Sequence, residues 1–205
     1  VSVSKDGKFL NDKDGNPMAG RSITLTGKNT YNMDDALKLA HDLYYPGGAE
    51  AGYDYHEDEN GIYDGIIYKL WGYNKNDVPN IKSILNHDTR NLGSALSRTV
   101  QNGDELHFFI QAQNGKDKFA FFTETEATYT QGQEITLKLR QRNDFGGCFS
   151  NCTGASIYIN GVKQEELLTD SEGNVTLPKL EAGQSYLITA EKLINTSDGT
   201  EVTDI

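Results

Sequence analysis

The residues of this chain whose types and spacing best suit a recognition chemistry are Trp71 and the tyrosines near it. Tyr53, Tyr55, Tyr63, Trp71 and Tyr73 fall in or beside a polar, glycine-rich stretch, and Lys69 stands two places before the tryptophan. Flat aromatic faces pack on the apolar faces of sugar rings, while neighbouring Asp, Asn, Lys and Gln groups hydrogen-bond the hydroxyls. The expectation is a carbohydrate-binding surface made from Trp71, Tyr73, Tyr53, Tyr55, Tyr63 and Lys69. The alternative is that these rings are ordinary core. Leu70 and Trp71 are neighbours in a strand-like run, so they should point to opposite faces and leave one of them outside the core.

Other chemistries fit less well. Between Leu39 and Tyr68 there is no Lys or Arg, but there are seven acids: Asp42, Glu50, Asp54, Glu57, Asp58, Glu59 and Asp64. A glycosidase needs two carboxylates on a rigid scaffold about a sugar ring, whereas an acidic run in a loop reads as a solvated face. Calcium is an alternative use of these acids. The EF-hand pattern fails, because placing Gly61 at the central glycine puts His56 and Ile67 at the first and last ligand positions. Gly15 fares no better, with Leu10 and Arg21 there. His41, His56, His87 and His107 are scattered and form no H-E-x-x-H pair. There is no nucleophile elbow and no phosphate-cradling glycine motif. The chain is expected to be no enzyme, with no metal and no cofactor.

Cys148 and Cys152 are the only cysteines, separated by three intervening residues in a loop flanked by glycines. That spacing suits a local disulfide, with free thiols as the alternative; two thiolates alone make half a zinc site. A disulfide would imply an oxidising compartment, and closing so small a loop stabilises little.

The elements that must position these residues are mostly strands. Val1 to Thr26 reads as strands with a turn at Asn11–Pro17, and Ile23 and Leu25 share one face. Met33 to Tyr44 is the strongest helix, with Met33, Ala36, Leu37, Ala40, Leu43 and Tyr44 at helical spacing. Asn32 or Thr30 would cap it, Asp34 and Asp35 suit its positive end, and Pro46-Gly47-Gly48 ends it. Ile66 to Tyr73 reads as a strand and Pro79 to Leu85 as a short helix. Leu106, Phe108, Ile110 and Ala112 alternate as a half-buried strand, with Asn114-Gly115 turning it into Phe119–Phe122. From about Ala127 the texture changes. Ile135, Leu137 and Leu139, then Ile157 and Ile159, Val175 and Leu177, and Tyr186, Ile188 and Ala190 alternate at intervals of roughly ten residues, the pattern of a β-sandwich. After Leu193 the tail reads as a linker or a last edge strand. The expectation is therefore an α+β, mostly β chain. Residues 1–126 form a sheet with one amphipathic helix, and residues 127–205 form an Ig-like β-sandwich.

With 30 acidic against 19 basic residues, the chain of 205 carries a formal net charge of −11. Such a charge argues against nucleic acid, whose binding depends on neutralising phosphates, and against adsorption to anionic membranes. No apolar run approaches the roughly 20 residues of a membrane span. No signal peptide is recognisable, so the chain reads as cytosolic or as a mature or excised piece.

Two stretches resemble known families. The Asp35-Ala36-Leu37-Lys38 helix, the Lys69-Leu70-Trp71-Gly72 strand and the Val100-Gln101-Asn102-Gly103-Asp104-Glu105-Leu106 turn together resemble the domains similar to the C-terminal β-domain of transcobalamin. These recur in cell-surface proteins of gut Firmicutes, and the resemblance covers about residues 1–123. The second half resembles bacterial Ig-like or prealbumin-like surface modules through Gly154–Gly161, Thr169–Leu177 and Ala182–Ala190. Asp14-Gly15-Asn16-Pro17-Met18-Ala19-Gly20 also echoes the strand openings of pilin-type modules. The resemblances imply a secreted or cell-surface bacterial location and neighbouring domains of a larger surface protein. In that setting the N-x-S/T triplets at Asn151, Asn174 and Asn195 are chance matches. The expected function is a non-catalytic module that binds a polysaccharide, with starch favoured. The alternatives are a structural or adhesive spacer with a protein partner and, on resemblance alone, capture of a corrinoid.

Overall fold

The structure, a computed structural model, describes residues 1–56, 65–88, 96–111, 118–142, 149–195 and 201–204. It is mostly β, and it divides into two compact units, Val1–Gly115 and Lys116–Ile205.

The first unit opens with a hairpin, β1 (Ser2–Lys5) and β2 (Lys8–Phe9), turned at Asp6-Gly7. A short strand β3 (Tyr31–Asn32) leads straight into α1 (Met33–Tyr44), whose start is fixed by a capping box. The Asn32 side chain accepts from the Asp35 N–H at 2.9 Å, and the Asp35 carboxylate accepts from the Asn32 N–H at 3.2 Å. The helix buries Met33, Ala36, Leu37 and Ala40, as its spacing leads one to expect, but the stripe then turns to His41, leaving Leu43 exposed and Tyr44 half-buried. A single turn α2 (Gly48–Gly52) follows, then β4 (Asp54–His56), β5 (Ile66–Leu70) and β6 (Tyr73–Asn74), which form one antiparallel sheet. The unit closes with β7 (Ile81–Leu85), β8 (Thr99–Val100) and β9 (Leu106–Ile110). The main sheet has the order β2-β1-β9-β7, with the central strands β1 and β9 parallel and α1 in the connection between them.

Two expectations change here. Ile81, Ile84 and Leu85 have helical spacing, but the segment is the strand β7, paired antiparallel with β9 from Ile81↔Ile110 to Leu85↔Leu106. Tertiary pairing overrides the local pattern. Ser22–Thr26 does alternate, with Ile23 and Leu25 half-buried, yet among the described residues it pairs with no strand.

The second unit has β10 (Phe119–Phe122), β11 (Thr136–Arg142), β12 (Phe149–Asn151) and β15 (Asn174–Thr176) in one four-stranded sheet. The other sheet has the order β14-β13-β16-β17, from β13 (Ser156–Ile159), β14 (Val162–Leu168), β16 (Ile188–Asn195) and β17 (Glu201–Asp204). Every pairing is antiparallel. Asn160-Gly161 makes the expected tight hairpin, both residues at positive φ. Strand β10 is not the return of β9. It pairs with β11, so Phe119–Phe122 belongs to the second unit. Leu137 and Val175 from one sheet and Ile157 from the other share one buried cluster, with Ile188 packed against it.

Candidate functional site

Trp71 sits in the turn after β5 with φ +49, followed by Gly72 at φ +80. This left-handed turn breaks the alternation of the strand. Leu70 and Trp71 therefore both point inward, at 0% and 6% exposure. The indole Nε1–H donates to the Asn11 carbonyl at 2.9 Å, and the Trp71 backbone N–H donates to His41 Nε2 at 3.1 Å. The accepting role of Nε2 places the ring proton on Nδ1, which donates to the Leu37 carbonyl at 2.9 Å. Burial lowers the His41 pKa to about 4, so the ring is neutral near pH 7. The His41 centroid lies 4.7 Å from that of Trp71 and 5.2 Å from that of Tyr53, and Tyr45 meets Trp71 edge-on at 5.3 Å. The tryptophan chosen as the sugar platform is thus a core residue, with both its N–H groups held inside the fold.

The other selected residues divide. Tyr53 is buried, and its hydroxyl donates to the Asp34 carboxylate at 2.5 Å; burial and that acceptor both push its pKa up. Asp34 also receives Lys38 at 2.7 Å. Tyr55 lies on β4, packed against the same core, with its hydroxyl so close over Gly65 that a Cβ there would stand 2.1 Å from it. Lys69 pairs with Asp54 in the register of β4 and β5. Tyr73 is exposed, with the Lys5 ammonium 5.4 Å from its ring centre. Tyr68, which was not selected, is equally open and is met by His56 and by Lys75. Tyr63, Glu57, Asp58, Glu59 and Asp64 lie outside the described residues.

An open cleft of about 300 Å³ adjoins this region, lined by Lys38, Asp42, Ala49, Glu50, Tyr53, Asp54 and Tyr55. One carboxylate has a structural task, since Asp42 accepts the Ala49 N–H at 2.8 Å and so caps α2. Glu50 and Asp54 with Lys38 leave a polar lining able to hydrogen-bond hydroxyls. It contains no nucleophile beside a base.

A third grouping was not selected from the sequence. His87, Glu105 and His107 converge where the turn after β7 meets the start of β9, with ligand-type atoms all within 4.8 Å of one another. His87 Nε2 is 2.9 Å and His107 Nε2 3.8 Å from one Glu105 carboxylate oxygen. The signal available in the sequence was Glu105-Leu106-His107, since residues two apart on a strand share a face.

Cys152 is buried in a small cluster with Ala120, Leu139 and Ala155, and Cys148 lies outside the described residues. No family model matches the chain, and neither a curated protein nor a solved structure matches it.

Proposed function

We propose that this chain is a non-catalytic structural and adhesive segment of an extracellular surface protein, with a transcobalamin-like first unit and an Ig-like second unit. The observation that supports this reading best is the burial of Trp71, with its indole N–H donating to Asn11 and its backbone N–H to His41. A sugar platform needs an open ring face, and this ring joins the helix, the β4–β5 sheet and the N-terminal segment instead. The two four-stranded antiparallel sheets of the second unit, sharing an apolar cluster, suit a stalk module. Its partners would be neighbouring domains and a protein ligand.

A second reading keeps the polysaccharide, with starch favoured, and moves it to the cleft beside Tyr55. The open polar volume next to two tyrosines favours it. One experiment separates the two. The intact chain is mixed with insoluble starch, cellulose, xylan and mucin, and the unbound fraction is measured. The spacer reading expects no depletion on any polymer. Depletion on one of them, lost in Tyr55→Ala, would replace the spacer with a glycan-binding module. Among the described residues nothing favours a corrinoid, and an unchanged cobalamin absorption spectrum on adding the protein is expected.

A further inference from the structure

We propose that His87, Glu105 and His107 form a binding site for a divalent transition-metal ion, with zinc the best fit. Three protein ligands are present, two imidazoles and one carboxylate. Imidazole selects zinc and its late first-row neighbours over calcium or magnesium, which prefer oxygen alone. A zinc ion held by three protein ligands completes its tetrahedron with a water.

The geometry suits the ion. Metal–ligand bonds of about 2.0–2.1 Å in a tetrahedron set ligand atoms roughly 3.4 Å apart. The two distances from the Glu105 oxygen, 2.9 and 3.8 Å, lie on either side of that value. Small side-chain adjustments bring all three donors onto one ion.

The backbone holds the ligands in place. Glu105 and His107 flank Leu106, whose side chain is buried, so both stand on the opposite face at the start of β9. The β7–β9 register pairs Leu85 with Leu106. Beyond it the Asn86 N–H donates to the Glu105 carbonyl at 2.9 Å, and the Asn86 side chain accepts the Glu105 N–H at 2.8 Å. Asn86 and His87 then both take positive φ, +52 and +58. That uncommon pair of left-handed residues bends the chain back and brings the His87 ring 5.3 Å from that of His107. The three side chains are about one-fifth to one-third exposed, while the His87 and His107 Nε2 atoms themselves are turned into the cluster and shielded from solvent, so an ion enters by a small opening of the side chains.

The test uses the intact chain labelled with ¹⁵N, titrated with Zn²⁺ and followed through the imidazole nitrogen signals. The site requires the His87 and His107 signals to move together at one equivalent, while buried His41 and exposed His56 stay fixed. Movement of His56 alone, or no movement at one equivalent, overturns the proposal. Co²⁺ gives an independent readout through visible absorption bands of a low-coordinate site. Those bands should weaken by at least about tenfold in apparent affinity in Glu105→Gln and in His87→Ala. Equal bands in wild type and both variants, each shown folded by circular dichroism, would also overturn it.

Discussion

The first unit closes around rings and the second around aliphatic side chains. Trp71, Tyr53 and Phe108 are buried with Met33, Leu37 and Ile110 in the first, and His41 packs among the rings. The second centres on Leu137, Ile157, Val175 and Leu177. A buried Trp or Tyr brings a polar tip that needs a partner, so the first unit also contains a set of specific hydrogen bonds. Trp71 reaches Asn11, Tyr53 reaches Asp34, and His41 links Leu37 to Trp71. An aliphatic core makes no such demand. Aromatic and polar groups gathered near a glycine-rich stretch can thus be the fastening of a core as well as a recognition surface.

The largest break in this comparison should come from Trp71→Ala. Truncating a buried Trp costs about 3–5 kcal/mol, and here two buried polar partners also lose geometry. That is a large share of the roughly 5–15 kcal/mol by which a domain is stable. Amide hydrogen exchange reads both units at once. Protection of β9 amides should collapse while that of β13 amides persists. Equal loss in both units would show that the two cores are not separate. Retained β9 protection would show that the indole is not the fastening described here.

How much of this was legible in the sequence depended on how local each cause was. The bounds of the helix at Met33–Tyr44 were legible to the residue, because its cap, acidic first turn and most of its stripe lie within one segment, while the burial of His41 in place of Leu43 was set by the rings packed against it. Strands β9 and β13 were legible through alternation. Strand β7 was not, because Ile81, Ile84 and Leu85 carry helical spacing and only the partner strand decides otherwise. Strand β10 was given to the wrong neighbour, because hairpin chemistry at Asn114-Gly115 says nothing about the competing partner β11. The burial of Trp71 depends on one left-handed residue, and the His87–Glu105–His107 cluster on a register plus a turn. Neither leaves a periodic trace.

Acid should separate the units next. All four histidines precede residue 116, so the second unit has none. His41 would take up a proton near pH 6.5 in the unfolded chain, but only at about 4 when folded. Between those values the unfolded state binds more protons, so stability falls as pH drops through the window. The loss is on the order of 3 kcal/mol by pH 4. His87 acts in the same direction, its pKa also lowered by burial. Asp12 differs. Burial pushes its carboxyl up, but hydrogen bonds from the Asn16 and Asp14 N–H groups, helped by Arg21, hold it below its usual value of 3.8. Its contribution is present above that pH and is lost only on further acidification. Trp71 is the single tryptophan, so its fluorescence reports the first unit alone. Urea midpoints read that way should fall from pH 7 to pH 4.5, while β13 amide protection changes far less. A flat fluorescence midpoint would remove His41 as the cause.

The smallest effect sharpens the account of the second unit. Gly154 and Gly173 both hold positive φ there, +75 and +76. A Cβ on Gly154 would meet nothing within 4 Å, whereas one on Gly173 would stand 2.5 Å from the Leu139 carbonyl oxygen. That carbonyl also accepts the Cys152 N–H at 3.1 Å, and the Leu139 N–H donates to the Gly173 carbonyl at 2.8 Å, so the backbone there has little freedom to yield. Gly154→Ala should cost about 1 kcal/mol, the left-handed penalty alone. Gly173→Ala adds a steric clash with backbone and should reach about 2 kcal/mol. Equilibrium unfolding followed through second-unit amides measures the gap. Equal costs would mean that conformation alone governs both sites and that the contact between the Gly173 turn and β11 is looser than its hydrogen bonds imply.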